Sequence, residues 1–374
     1  MRYIIIFLTA CFLFACTKKE EPAPAVELVC KLPELKEHPF IGVGFPRAVA
    51  RVASSGKVKV TVIFVDFSDA PASRTPEDVF GIISPASETL LSAVSYGKLS
   101  LSFDPKFKWF RMSKPSASYD RTTYDNHRIY LQEAISLADP SVDFSGSDAF
   151  LVIANPDAGN ITRGYAFETN ALDGIVADAK YLNNGSSSGS ELLTVKDLWF
   201  PHEFGHNMGL VDTYAYDGLA NRFMGDFSVM ANTTGTAPEH TGWERWLLGW
   251  IDDSQVTCSN SLGKKGTVIL TPIENKDGQK LLVIPYDNYN AIVVESRRAT
   301  GYDKLLAKEG PLVYMVDTRM ASGMGPIRVL PINDNDTQKR QAVMTVNQSL
   351  PAGPVTITYI SRDAAGDHIQ YEIK

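Results

Sequence analysis

The stretch that most restricts what this chain can fold into is residues 199–214, WFPHEFGHNMGLVDTY. His202 and His206 stand four residues apart. On a helix that spacing puts them about 40° apart on one face, one turn up. Two imidazoles then aim at a common centre without distorting the backbone. Glu203 directly follows the first histidine, so its carboxylate can reach a water beside that centre without being a ligand. Gly209 and Asp212 lie seven and ten residues after His202. Glycine takes the left-handed conformation that ends a helix, and the chain can then turn back and return Asp212 to the histidines. Two imidazoles, a carboxylate and a water make a four-coordinate site of the kind Zn2+ occupies in catalysis. The bland alternative is a polar helix whose histidines are merely solvated. Pro201 adds a constraint: proline removes a helical donor, so the helix starts only a turn earlier or kinks there.

A second element lies downstream in MGDFSVMANTTG, residues 224–235. Ser228-Val229-Met230 is followed by small and turn-forming residues, and resembles the Met-turn of the metzincins, where a methionine forms an apolar floor beneath zinc. Met230 alone reads as plain core; eighteen residues beyond Asp212, it strengthens the zinc reading. Taken together, HEFGHNMGLVDTY, MGDFSVMA and GWERWLLGWI resemble the immune inhibitor A-like secreted metallopeptidases. VTVIFVDFSD, VSYGKLSL and VVESRRATGYDKLLAKEGPLVYMVD share that resemblance, which covers about residues 57–320. It implies a metzincin-like zinc endopeptidase acting on protein or peptide substrates, with a β-domain attached. By position, His202, His206 and Asp212 are the implied metal ligands and Glu203 the general base. His240 is the other candidate third ligand, with a surface or outer-sphere role as its plainer reading. Tyr214 and Tyr216 are candidate oxyanion donors, with a structural role as the plainer reading of each. Asp66 with Asp69, and Asp334 with Asp336, could bind Ca2+, but acids in turns are more often simply solvated.

The N-terminus has its own grammar. MRYIIIFLTACFLFAC is a short basic start followed by apolar residues, and the chain turns polar at TKKEE. Residues 1–15 therefore read as a signal peptide. Leu13-Phe14-Ala15-Cys16 resembles a bacterial lipobox, which makes Cys16 the lipidated residue and places the protein in the cell envelope, at the outer membrane or cell surface. Phe14 departs from the usual small residue. Leu8-Thr9-Ala10-Cys11 fits the letters better but leaves too short an apolar region. Residues 16–56 read as a lipid-anchored tether and N-terminal segment. Cys30 and Cys258 remain as thiols, and in an oxidising compartment two such cysteines can form a disulfide. The sharper alternative makes Cys30 a thiolate capping zinc in a latent form.

The rest divides by texture. Residues 57–262 alternate strand-like and helix-like runs, the pattern of an α/β (α+β) domain. KVKVTVIFVDF reads as a central strand, Thr75-Pro76 as a helix start, and Leu99–Phe103 as a short strand. NNGSSSGS, residues 183–190, reads as a flexible loop. Residues 263–374 hold strand-like runs separated by Gly, Asn, Asp and Pro, and read as a β-rich, sandwich-like C-terminal domain. A net charge of −7 without a long basic run argues against nucleic acid as a partner. Past the leader no apolar run is long enough to span a membrane as a helix. The competing functional reading is an inactive zinc-binding or adhesive surface lipoprotein; an intact Glu203 argues against it, since a scaffold needs no general base.

Overall fold

Along the chain run β1 (Gly56–Asp66), α1 (Pro76–Phe80), α2 (Ala86–Val94), β2 (Leu99–Arg111), α3 (Tyr124–Ala138), β3 (Ala149–Ala154), β4 (Tyr165–Thr169), β5 (Leu182–Ser188), α4 (Leu192–Val195) and α5 (Trp199–Met208). This computed structural model describes residues 28–35, 42–47, 52–119, 123–169, 182–261, 263–333 and 335–374. The leader, Cys11, Cys16 and Asp334 lie outside the described residues. The first five strands form one sheet in the order β2-β1-β3-β5-β4, parallel except for β4.

Alternation along β1 decides its two faces. Val58, Val60, Val62 and Phe64 pack with Leu90 and Leu91 of α2 and Phe200, Phe204 and Met208 of α5. Ile63 and Val65 point the other way, into a core with Tyr130, Leu131, Ala134 and Ile135 of α3. Side chains of period two on a strand and 3.6 on a helix make this layering follow from the sequence. Thr75 caps α1 by accepting the Asp78 N–H, and Pro76 occupies its first turn.

Two segments differ from expectation. β2 runs on to Arg111, well past Phe103, through Pro105. It is an edge strand, and proline is tolerated there because no outer neighbour needs its missing N–H. The other is NNGSSSGS, which is not a loop: most of it is β5, hydrogen-bonded between β3 and β4. Its Asn184, Ser186, Ser187 and Ser188 are buried. The side chains of Ser186 and Ser187 are met from the neighbouring helices. Ser186 Oγ donates to Asn207 Oδ1 at 2.6 Å, Asn207 Nδ2 donates to Gly185 O at 3.1 Å, and Ser187 Oγ pairs with His127 Nε2 at 2.7 Å. Small residues let α5 sit close over the strand, and the hydrogen bonds replace the apolar contacts a Val or Ile would make.

Beyond α6 (Gly242–Leu247) come β6 (Val256–Cys258), β7 (Lys265–Leu270), β8 (Leu281–Pro285), β9 (Asn290–Arg297), β10 (Gly310–Asp317), β11 (Ile327–Val329), β12 (Ser349–Ala352), β13 (Val355–Asp363) and β14 (Gly366–Ile373). They build two sheets, β11-β10-β9-β8-β6 and β12-β13-β14-β7. The described residues are thus mixed α/β, with three sheets and few helices. Leu282, Ile284, Ile292 and Val294 of the five-stranded sheet share a core with Ile357, Tyr359 and Tyr371 of the four-stranded one. Its opposite face, with Leu281, Val283, Val293, Leu312 and Tyr314, packs on Phe227, Trp243 and Trp246. Strands buried on both faces read as continuous apolar runs, as these do. The core therefore crosses residue 263 without a break. Among the described residues no helix is long and apolar enough to cross a membrane.

Candidate metal centre

α5 begins at Trp199, so Pro201 falls in the first turn, where helical N–H groups have no intrahelical partner anyway. It ends at Gly209, with φ 104°, whose N–H donates to the carbonyls of Gly205 and His206. Leu210 N–H also reaches Gly205 O at 2.9 Å. This left-handed cap reverses the chain and returns Asp212 to the helix.

His202 Nε2 and His206 Nε2 lie 3.2 and 3.1 Å from the same oxygen, Asp212 Oδ1. Their Nδ1 atoms face backbone carbonyls: Val229 O at 2.9 Å for His202 and Leu210 O at 3.0 Å for His206. A carbonyl only accepts, so each Nδ1 carries a proton, and in its neutral form each ring presents its Nε2 lone pair to the centre. Asp212 Oδ1 finds no hydrogen-bond donor there. Three lone-pair atoms within 4.8 Å of one another are a set that only a cation or added protons can satisfy. The two His–Asp spacings fit a small divalent cation, of which zinc is one. Bonds of about 2.0–2.1 Å in a tetrahedron separate neighbouring ligand atoms by about 3.3–3.4 Å. A His2Asp donor set is also one zinc accepts.

Without a cation the cluster draws protons. Burial disfavours a charged His202, but the Asp212 carboxylate outweighs it and raises the pKa overall. Burial likewise opposes ionisation of Asp212, yet His206 and His202 hold it well below the usual carboxylate range. Glu203 shares the helix and is 8% exposed.

Met230 packs against the helix at Gly205. A side chain on Gly205 would meet Met230 Sδ at 2.6 Å, so the thioether fills the space that this glycine leaves open. The turn is held by backbone and by one acid. Val229 N–H donates to Pro238 O and Thr213 N–H to Met230 O. Ser228, at φ 75°, accepts the Met230 N–H and donates its hydroxyl to Glu244 Oε2 at 2.8 Å. Glu244 also closes the capping box of α6 with Thr241. The GWERW segment thus steadies the turn that carries Met230.

The other sequence candidates fall elsewhere. Among the described residues, His202, His206 and Asp212 form the one metal-capable group. His240 is not in it. It lies fully buried, edge-on to Trp250, and burial followed by the charge of Arg245 pushes its pKa down to about 3. Cys30 is bonded to Cys258, which removes it as a capping thiolate. Asp66 binds Arg111 through both oxygens, at 2.7 and 2.8 Å, and Asp69 accepts from Ser116 N and Oγ. Asp336 accepts the Lys339 N–H at 2.9 Å.

Tyr214 stacks its ring on His202, with centroids 6.2 Å apart. Burial, then the Asp212 charge, raises its hydroxyl far above the ordinary range. Tyr216 takes a structural role, the plainer of its two readings: its hydroxyl donates to Asp212 Oδ2. Ser322 and Gly323, from the loop between β10 and β11, also reach Asp212. Only the turn-forming glycines of ASGMG mark that loop in the sequence, and they carry no sign of a metal site. Compared with known proteins, the chain matches no family model and no curated protein sequence.

Proposed function

We propose that the chain is an exported zinc metalloendopeptidase, metzincin-like, that hydrolyses peptide bonds in protein or peptide substrates. The observation that carries the reading is the convergence of His202 Nε2, His206 Nε2 and Asp212 Oδ1 on one point, with Glu203 on the same helix. Met230 beneath Gly205 supports it, as does the motif resemblance to the immune inhibitor A-like metallopeptidases. His202, His206 and Asp212 would hold the ion. When bound, zinc supplies Lewis acidity, polarising a peptide carbonyl and making water acidic enough to ionise near neutral pH. Glu203 takes the proton of the attacking water and delivers it to the leaving amine. Tyr214, kept protonated, is the candidate donor to the developing oxyanion.

The disulfide between Cys30 and Cys258 supports export to an oxidising compartment. In this reading lipid on Cys16 tethers the enzyme to the bacterial cell envelope. Incubation with an unstructured protein substrate, with and without a zinc chelator, tests the activity. Cleavage should stop with the chelator and return with added zinc. Cleavage that continues unchanged in the chelator contradicts the reading.

A further inference from the structure

Asp212 is held by almost every polar atom it has. Its N–H donates to Ser322 Oγ at 3.0 Å, and its carbonyl accepts the Gly323 N–H at 3.0 Å. Carboxylate oxygen Oδ2 accepts from the Tyr216 hydroxyl and lies 3.5 Å from Ser322 Oγ. The two hydroxyls also touch each other, at 2.9 Å. Tyr216 N–H in turn donates to Gly323 O at 3.3 Å. Gly323 has φ +72°, and a side chain there would meet the Tyr216 ring at 2.3 Å, so the tyrosine lies flat against bare backbone. Only Oδ1 is left to face the two imidazoles.

We propose that Tyr216 and Ser322 are positioning residues that orient Asp212 as a one-oxygen ligand, so that the loop between β10 and β11 completes the metal site. The inference rests on the zinc reading of that site. A carboxylate free to rotate can offer either oxygen or both. Donors fixed on Oδ2 remove that freedom and leave one geometry, which is how outer partners tune metal affinity. Tyr216 lies four residues from Asp212, whereas Ser322 comes from the loop between β10 and β11, 110 residues away in sequence. Removing the β-region's contribution should therefore loosen the metal without touching a ligand.

The test uses the full exported chain. Zinc affinity is measured by competition with a chromogenic chelator, and ligand geometry by the absorption bands of the Co2+-substituted protein. Tyr216→Phe keeps the ring against Gly323, and Ser322→Ala removes only a hydroxyl, so both variants should fold. Each should weaken zinc binding by about 10- to 100-fold and shift the Co2+ bands. Ser322→Thr restores a hydroxyl and should recover most of the affinity, which a purely structural role for the loop would not require. A Tyr216→Phe, Ser322→Ala double variant with wild-type affinity and wild-type bands overturns the inference while leaving the zinc reading intact. A wild-type chain that takes up no divalent metal overturns both.

Discussion

The proposed metal ligands with their base, and the groups that support them, come from opposite kinds of sequence. His202, Glu203, His206 and Asp212 fall within eleven consecutive residues. Their supports are scattered: Leu210 O, Val229 O, Met230, Glu244, and Ser322 with Gly323. The ligands must be particular residue types at helical spacing, so the chemistry is written in letters. The supports act through carbonyls, hydroxyls and missing side chains. A carbonyl is the same in every residue, and nothing in the letters says which one will lie behind a histidine.

The largest break in this comparison comes from the ligands. His202→Ala with His206→Ala should abolish metal binding and peptide cleavage together, while the wild type binds one zinc per chain. Metal analysis of the purified proteins checks this, and the loss should exceed the 10- to 100-fold effect typical of outer partners. Next in size is the disulfide, which ties the N-terminal segment to β6 across 228 residues of sequence. Cys30→Ser should lower stability by about 2–4 kcal/mol, read from denaturant unfolding, and leave the metal content of the folded protein unchanged.

Gly205→Ala sharpens the comparison from inside the motif, because Gly205 is a support placed among the ligands. Two effects compete. Alanine in a helix interior gains about 1 kcal/mol over glycine. Forcing fully buried Met230 aside costs about 1–3 kcal/mol. The expected net is a loss of about 1 kcal/mol, seen in the unfolding midpoint. A clear gain in stability would show that Met230 does not press on this position.

The last effect is a pH dependence between the site layer and the β-region. Burial pushes the Glu274 carboxyl up to about 7, against the pull of Arg297 and the Arg298 N–H. The unfolded chain releases that proton near pH 4.3, roughly the ordinary glutamate value. Between those values the folded state holds more protons, so this group's contribution to stability falls as pH rises and levels off above about 7. Glu274→Gln should flatten that part of the profile, measured by urea unfolding at a series of pH values.

The fold repeats the same division. β1 was legible because its alternation separates two apolar cores, and α3 because Leu131, Ala134 and Ile135 share a face. β5 was not. Its serines, asparagines and glycine have the composition of a loop, and only tertiary partners such as Asn207 and His127 make them a strand. The Cys30–Cys258 pairing needed only a count of cysteines. A structural role for Tyr216 was legible, but its partners were not: nothing in the letters brings Ser322, more than a hundred residues on, to its hydroxyl. The end of β2 was hidden by Pro105, which is a strand breaker except at an edge.

The central claim is that Glu203 does the proton transfer at a zinc held by its neighbours. Glu203→Gln keeps size and polarity, removes the basic carboxylate and leaves all three ligands in place. Zinc content and peptide-cleavage rate, measured side by side in this variant and the wild type, test the claim most directly. The account predicts full zinc content with a rate lower by about 10²–10⁴-fold, the usual worth of a positioned base. A Glu203→Gln protein that binds zinc and cleaves peptides as fast as the wild type would contradict it.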